Sequence, residues 1–316
     1  MAALVWQSVC DALPVAIASV PRQVVTPMAR FCSMPSDKLE NLHRLLRSYG
    51  SCLVAYSGGV DSVFLAHVAH EVLGNRALAV IADSPSLPRR ELEDAIDMAR
   101  RFEIPLRVVK TQEFNNPAYL SNPSNRCYFC KQELFTELEP LAKAEGFAII
   151  AYGENASDIG DFRPGAQAAS EFKVRAPLKD AGLTKGEIRE LSAQLGLPTA
   201  DKPQMACLSS RVPYGETVSP EKLRMIEAAE NVLRDLGFYD VRVRHHELAG
   251  GGASESARYL ARIELGQSEL PRFLEGAAFN YVAEALRKIG YAHVTLDLQG
   301  YRRGSLNEAL ASKGAV

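Results

Sequence analysis

Short apolar runs alternate with helix-length stretches along the chain from residue 51 to residue 152. The apolar runs are continuous, which is typical of strands in a parallel sheet that is covered on both faces. Strand–helix alternation of this kind predicts an α/β domain with right-handed connections. The predicted elements are strand 52–55, helix 60–73, strand 77–82, helix 89–102, strand 106–109, helix 131–145 and strand 148–151.

A different pattern follows residue 219, where strands are separated by a glycine turn at 250–252 and by a long helix. This pattern predicts a smaller α+β unit. Residues 153–213, between the two units, carry proline-rich stretches around a predicted helix, and this irregular segment is interpreted as facing the substrate. The predicted elements are helix 184–195, helix 220–236, strand 239–245, strand 258–265, helix 269–289 and strand 293–298.

These patterns divide the chain into four predicted parts. They are an uncertain leader at 1–35, a parallel-sheet domain at 36–215, a smaller α+β domain at 216–304 and a tail at 305–316. The leader contains Asp11 as its one acid, so an organellar transit segment and a start of translation at Met34 are both compatible with it. The expected location is the cytoplasm, with an organelle as the alternative.

Composition narrows the class of protein. The chain has 316 residues, of which 47% are hydrophobic and 23% charged, so it can bury a sizeable core. A net charge of -2 and a pI near 6.3 argue against a general nucleic-acid surface. Apolar runs are shorter than the ~18 residues of a membrane span. We therefore expect a small-molecule substrate, no membrane or nucleic-acid partner, and a homo-oligomer.

The most informative motif lies between the first predicted strand and the first predicted helix. Gly58 and Gly59 allow a sharp turn there, and the N–H groups and dipole of the helix N-terminus favour a polyphosphate. Ser57 and Ser62 add hydroxyl donors, and Asp61 can hold the Mg²⁺ that accompanies the phosphates. The motif therefore predicts a polyphosphate site, although it lacks the Lys-Ser/Thr ending of a Walker loop.

Other polar residues follow the second and fourth predicted strands. Ligands of parallel sheets lie beyond the carboxyl ends of the strands, so Asp83 and Ser84 are candidates for contacting the ribose or adenine of a nucleotide. Asp158, Asp161 and Arg163 are candidates for contacting magnesium or substrate, with a turn rich in Asx residues as the alternative.

Three of the six cysteines form a second candidate site. Cys127 and Cys130 make a C-x-x-C pair, which alone fits a metal site, a redox dithiol or coincidence. A third cysteine, Cys207, favours a metal site. Three cysteines would leave one coordination position of a zinc ion open, or would leave one iron of a [4Fe-4S] cluster without a protein ligand. Arg211 and Lys202 lie near Cys207 in the sequence, and positive charge of this kind favours a thiolate.

Three segments, at 57–62, 121–131 and 201–215, carry a resemblance to known proteins. The first resembles the S-G-G-x-D-S loop of the ATP pyrophosphatase (PP-loop) superfamily, and together they resemble the LarE family over about residues 36–304. The resemblance implies an enzyme that binds ATP and Mg²⁺ and adenylates the carboxylates of pyridinium-3,5-biscarboxylic acid mononucleotide. It then converts them into thiocarboxylates, which belong to the precursor of a nickel-pincer cofactor.

The resemblance leaves two sulfur sources open. Some family members donate the sulfur of one cysteine, which becomes dehydroalanine, and its position matches Cys207. Others hold a [4Fe-4S] cluster on three cysteines, whose positions match Cys127, Cys130 and Cys207. Because all three are present, the cluster is the preferred prediction and implies a sulfide donor as partner, with sacrifice of Cys207 as the alternative.

Arginines of the second unit are candidates for substrate binding. Arg242 and Arg244 lie on one face of a predicted strand, because side chains alternate along a strand. Two such guanidiniums suit bidentate phosphate binding, and the resemblance suggests a phosphate-binding arginine pair in this unit. Exposed arginines on a half-buried strand are the alternative. Glu230 and Arg211 are further candidates for contacting the substrate.

Two other enzyme classes are alternatives. A tRNA-thiolating enzyme also combines such a loop with a C-x-x-C pair, but the nearly neutral chain argues against an RNA surface. An amide-forming ligase of the NAD or GMP synthetase type shares the adenylation step and does not need the three cysteines.

Overall fold

The computed structural model describes residues 34–160, 164–203, 205–248, 258–276 and 278–302. From Met34 onward the chain forms one compact unit. Residues 1–33 of the predicted leader, the glycine turn, Asp161, Arg163 and the predicted tail lie outside the described residues. The domain boundary near residue 215 stays a prediction.

The first sheet has four parallel strands in the order β3-β2-β1-β4, as the apolar runs predicted. Its strands are β1 Cys52–Tyr56, β2 Ala77–Asp83, β3 Leu106–Lys110 and β4 Ile149–Tyr152. The helices up to residue 194 are α1 Met34–Tyr49, α2 Val60–Leu73, α3 Arg89–Arg101, α4 Pro117–Leu120, α5 Arg126–Glu145, α6 Pro164–Glu171, α7 Pro177–Asp180 and α8 Lys185–Gln194.

Strand β1 is buried along its whole length, and its side chains alternate between two cores. Cys52, Val54 and Tyr56 pack with helices α1, α2, α3 and α8. Leu53 and Ala55 pack on the opposite face with α5 and α6. Because both faces are covered by helices, the sheet places its carboxyl edge, rather than a face, at the surface.

A second, mixed sheet follows. Strand β5 pairs antiparallel with β6, and β6 pairs parallel with β7. The helices α9 and α11 cover one face, where Leu233 and Leu286 pack against Val243 and Ile263. This confirms the predicted smaller α+β part. Its elements are α9 Pro220–Asp235, β5 Val241–Leu248, β6 Arg258–Leu265, α10 Leu270–Glu275, α11 Ala278–Ile289 and β7 Tyr291–Leu296.

Two predicted helix boundaries were wrong. Helix α5 begins at Arg126 rather than at residue 131, so Cys127 and Cys130 lie inside its first turns. The buried guanidinium of Arg126 bonds the Asn122 side chain, a contact that the sequence pattern does not reveal. The predicted helix 269–289 is two helices, because Gly276 adopts an extended backbone after α10. Among the described residues, no helix has the length and apolar character needed to cross a membrane.

Candidate active site

The loop between β1 and α2 has a backbone that requires glycine. Gly58 has a φ of +69°, and a Cβ atom there would lie 2.7 Å from the Cβ of Ala95 in α3. Any residue other than glycine would therefore have a strained backbone at this position, and its Cβ would clash with Ala95. Gly59 precedes α2 as its N-cap, with no side-chain cap from the described residues on the helix amides. The N-terminal N–H groups of α2 thus stay available for an anion.

The two serines of the loop hold each other in place. The hydroxyl oxygens of Ser57 and Ser62 lie 3.0 Å apart, and the Ser57 N–H donates to Ser62 Oγ at 3.1 Å. Ser62 in turn donates to the carbonyl of Gly59 at 3.1 Å. The loop is therefore shaped by its own hydrogen bonds, as a preformed phosphate cradle requires.

Asp61, the predicted magnesium ligand, has two neighbours that sequence analysis missed. The Lys185 ammonium donates to Asp61 Oδ2 at 2.6 Å, and the Asn155 amide donates to Oδ1 at 3.4 Å. Lys185 is the first residue of α8, after the N-cap Thr184. The helix dipole disfavours a cation in the first turn of a helix. The position of Lys185 at the start of a predicted helix is therefore the sequence signal that could have indicated a carboxylate partner.

The segment after β4 packs directly on the loop. A Cβ atom on Gly153 would lie 3.0 Å from the backbone nitrogen of Ser62, so glycine is needed for this approach. The turn that follows is closed by a capping box between Asn155 and Asp158. Asp158 thus accepts from the Asn155 N–H at 3.1 Å, which favours the turn interpretation of this residue.

Asp83 and Ser84 lie at the carboxyl edge of the sheet, beside β1, as predicted. Their polar groups have protein partners. Arg89 pairs with the Asp83 carboxylate and donates to the Ser84 carbonyl at 2.7 Å. Ser84 Oγ accepts from the Ser86 N–H at 3.2 Å. Their contact with a nucleotide stays a prediction.

The three cysteines share one electrostatic neighbourhood. All are free thiols, with Cys127 exposed and Cys130 and Cys207 half-buried. Burial is the main cause that raises the pKa of Cys130 to about 12, and the charges of Glu113 and Cys207 add to it. Loss of water and the charge of Cys207 also raise the pKa of Cys127. Within the described part of the chain, however, no three His, Cys, Asp or Glu side chains are grouped as ligands of a metal ion.

Arg211 and Glu230 form a buried ion pair. Arg211 is fully buried, and its guanidinium makes a bidentate pair with the Glu230 carboxylate at 2.8 and 3.1 Å. It also donates to the carbonyls of Ala206 at 2.6 Å and Cys207 at 3.0 Å. In this structure the pair holds the backbone that carries Cys207, and its contact with the substrate stays a prediction.

Arg242 and Arg244 are both buried, so the alternative of exposed arginines was wrong. Arg244 donates to the carbonyl of Ser210 and to Glu264, both at 2.8 Å. Arg242 lies over the Tyr301 ring, 4.7 Å from its centroid. Burial and the like charge of Arg211 lower the pKa of Arg242, and the charges of Glu230 and Asp240 partly oppose this shift.

Comparison with known proteins identifies the family. No family model matches the chain. A Synechocystis protein described as uncharacterised is 45% identical over 277 residues, or 88% of this chain and 99% of that protein. A protein of Lactiplantibacillus plantarum, named pyridinium-3,5-bisthiocarboxylic acid mononucleotide synthase, is 32% identical over 277 residues, covering 87% of this chain and 95% of that protein. The chain belongs to the LarE family.

A more distant similarity links this LarE-family chain to GMP synthases. A glutamine-hydrolysing GMP synthase of Phenylobacterium zucineum is 30% identical over 224 residues, which cover 60% of this chain and 41% of that protein. The similarity agrees with the parallel sheet and its glycine loop, and it places the LarE-family chain in the PP-loop superfamily.

In the LarE-family structure, ion pairs connect the glycine loop to the Cys207 segment. Lys202 binds Glu91 at 2.7 Å and donates to the carbonyl of Gly58 at 3.4 Å. Arg234 lies 3.5 Å from Glu91 and 3.7 Å from Glu230, the partner of Arg211. A cavity of about 870 Å³ lies along this path, a volume sufficient for a small-molecule ligand. Its lining includes Gly58, Glu91, Lys202, Met205 and Arg234.

Proposed function

We propose that this LarE-family chain is an ATP-dependent sulfur transferase acting on pyridinium-3,5-biscarboxylic acid mononucleotide in nickel-pincer cofactor synthesis. The observation that carries the proposal is the connection, within one compact unit, between a glycine loop built for polyphosphate and a segment that presents Cys207. The Lactiplantibacillus relative is named as a synthase of a bisthiocarboxylic acid mononucleotide, the product that such a transfer would form.

Adenylation would occur at the glycine loop. A carboxylate oxygen of the substrate attacks the α-phosphorus of ATP, pyrophosphate leaves, and an acyl-adenylate forms. Ser57, Ser62 and the amides of α2 suit the departing pyrophosphate. The residues fit Mg²⁺ as well, because the Asp61 carboxylate supplies oxygen atoms at the helix N-terminus. Mg²⁺ bound there would neutralise phosphate charge, and Lys185 would exchange its contact with Asp61 for a phosphate oxygen.

Sulfur transfer would then release AMP, from either of two sources. In the first, the Cys207 thiolate attacks the acyl carbon, AMP leaves, and loss of the Cα proton with cleavage of the Cβ–S bond leaves a thiocarboxylate and dehydroalanine. In the second, Cys127, Cys130 and Cys207 would hold a [4Fe-4S] cluster, which would supply the sulfide when bound. The three reduced thiols are suitable donors for a cluster.

The two sources predict different metal contents. If a cluster forms, the anaerobically purified protein should contain about four irons and four acid-labile sulfides, because a cubane cluster has that composition. Cys127→Ala should lose them, whereas Cys52→Ala, which removes a buried thiol of β1, should keep them. Chemical analysis and visible absorption measure the iron and sulfide content of both variants. Iron-free protein after reconstitution contradicts the cluster and predicts instead a loss of roughly 34 Da at Cys207 after turnover.

Product analysis tests the proposed function. The protein is incubated with the biscarboxylic acid mononucleotide, Mg-ATP and sulfide, and the products are analysed by mass spectrometry. Formation of AMP, pyrophosphate and a product heavier by roughly 16 Da for each carboxylate supports sulfur transfer, since sulfur replaces oxygen. An amide product with ammonia, still formed after all three cysteines are changed to alanine, supports the ligase class of GMP synthase. Thiolation of tRNA contradicts the proposal.

A further inference from the structure

Three buried hydroxyl groups meet beside the cysteines. Ser86 Oγ lies 2.6 Å from the phenol oxygen of Tyr119, and that oxygen lies 2.8 Å from Ser209 Oγ. The two serine oxygens are 3.1 Å apart, which closes a triangle. Each of the three residues is at most 3% exposed. We name this group the hydroxyl triangle.

The hydroxyl triangle joins parts of the chain that are far apart in sequence. Ser86 follows β2, and its N–H donates to Ser84, a candidate nucleotide contact. Ser209 lies in the turn after Cys207, where the Leu208 N–H donates to the Ser86 carbonyl at 2.8 Å. Tyr119 belongs to α4, which precedes the C-x-x-C pair. The triangle thus connects the nucleotide side of the sheet with the cysteine side.

Tyr119 lies close to the sulfur atoms. Burial is the main cause that raises its pKa, and charges on Cys207 and Cys130 raise it further. Its phenol therefore stays protonated and can donate. Three hydroxyls carry three protons, so the three contacts of the triangle can all be satisfied at once. A buried network that is fully satisfied is rigid, and removal of one member leaves the others unpaired.

We propose that the hydroxyl triangle positions Cys207 relative to the end of β2 and thereby controls sulfur transfer without controlling adenylation. This inference rests on the proposed function for its two half-reactions. Its physical basis lies in residues 202–207, of which the structure describes all but residue 204. The described residues of this segment belong to no helix or strand. The position of Cys207 is thus set by contacts on its flanks. Arg211 fixes the segment toward α9, and the triangle fixes it toward β2.

The test compares Tyr119→Phe and Ser209→Ala with Tyr291→Phe. Tyr291 is a matched control, because it is a buried tyrosine of β7 whose hydroxyl bonds His245 at 3.1 Å. Loss of a triangle hydroxyl should slow thiocarboxylate formation about tenfold to a hundredfold and change AMP formation less than about twofold, as expected for misplacement of a reacting group. The rate at which iodoacetamide labels Cys207 in the full chain, measured with chelator in all samples, should change about threefold or more. Tyr291→Phe should match wild type in all three measurements.

Two results would overturn the proposal. One is an unchanged Cys207 labelling rate together with unchanged thiocarboxylate formation. The other is an equal fall in both half-reactions with unchanged labelling, because that pattern indicates general destabilisation. Ser86→Ala replaces Tyr119→Phe if that variant does not fold. If the wild-type chain forms neither AMP nor thiocarboxylate, the proposed function fails, and the labelling comparison alone decides whether the triangle positions Cys207.

Discussion

Alanine in place of Cys207 is expected to abolish thiocarboxylate formation while AMP and pyrophosphate still form at close to the wild-type rate. Both proposed sulfur sources need this sulfur atom, either as the donor or as a cluster ligand. The contacts that hold the segment go to the backbone carbonyl of Cys207, which alanine keeps. The loop proposed to serve adenylation is built by other residues, Ser57 to Ser62. Mass spectrometry of the substrate and chromatography of AMP measure the two half-reactions separately.

Cys52→Ala is the control for removal of a thiol. Cys52 is fully buried in β1, and burial raises its pKa to about 12, so its thiol stays protonated and unreactive. This variant should form thiocarboxylate like wild type. Thiocarboxylate formation that persists in Cys207→Ala would assign the sulfur to another donor and contradict both proposed sources.

The sheet and the glycine loop could be predicted because their signals are local. Strand β1 is a continuous apolar run, and this suffices to predict burial on both faces. Two glycines and an acid between a strand and a helix likewise predict a phosphate cradle from six adjacent residues. The structure confirms the architecture, with the loop at the carboxyl edge of the sheet.

The partners of the charged residues could not be predicted, because they are set by contacts distant in sequence. Lys185 meets Asp61 across 124 residues, and Lys202 meets Gly58 across 144. Arg211 looked like a substrate contact, yet its guanidinium is neutralised by Glu230, which comes from another helix. A single sequence shows which charges exist but not which of them pair, so burial of the pair could not be deduced.

The pairings suggest how the two half-reactions proposed for this chain would be coupled. Gly58, Lys202, Glu91, Arg234, Glu230 and Arg211 form consecutive contacts that end at the Cys207 carbonyl. Phosphates arriving at the loop would compete with Glu91 for Lys202, since both are anions. Occupancy of the ATP site would then be transmitted to the segment that carries Cys207. The geometry of the loop is therefore expected to affect both half-reactions.

Gly58→Ala is therefore expected to reduce AMP formation strongly, by about a hundredfold or more, as misplacement of reacting groups by about 1 Å does. The left-handed backbone of Gly58 costs about 1–2 kcal/mol for an L-residue. In addition, the new Cβ would lie 2.7 Å from the Cβ of Ala95, a buried atom of α3 that cannot rotate away. The loop must shift, which breaks the contact of Lys202 with the Gly58 carbonyl. ATP-dependent AMP release and thermal unfolding measure the effect.

Gly182→Ala separates backbone strain from the steric contact. Gly182 has a similar φ of +74°, but among the residues that the structure describes a Cβ there would meet only the flexible Lys38 side chain, at 4.0 Å. This variant should lose about 1–2 kcal/mol of stability and keep AMP formation. Ala95→Gly added to Gly58→Ala removes the clashing atom and should restore part of the AMP formation, although glycine in a helix costs about 1 kcal/mol. Equal loss of AMP formation in Gly182→Ala, or absence of rescue by Ala95→Gly, would show that the contact with α3 does not shape the loop.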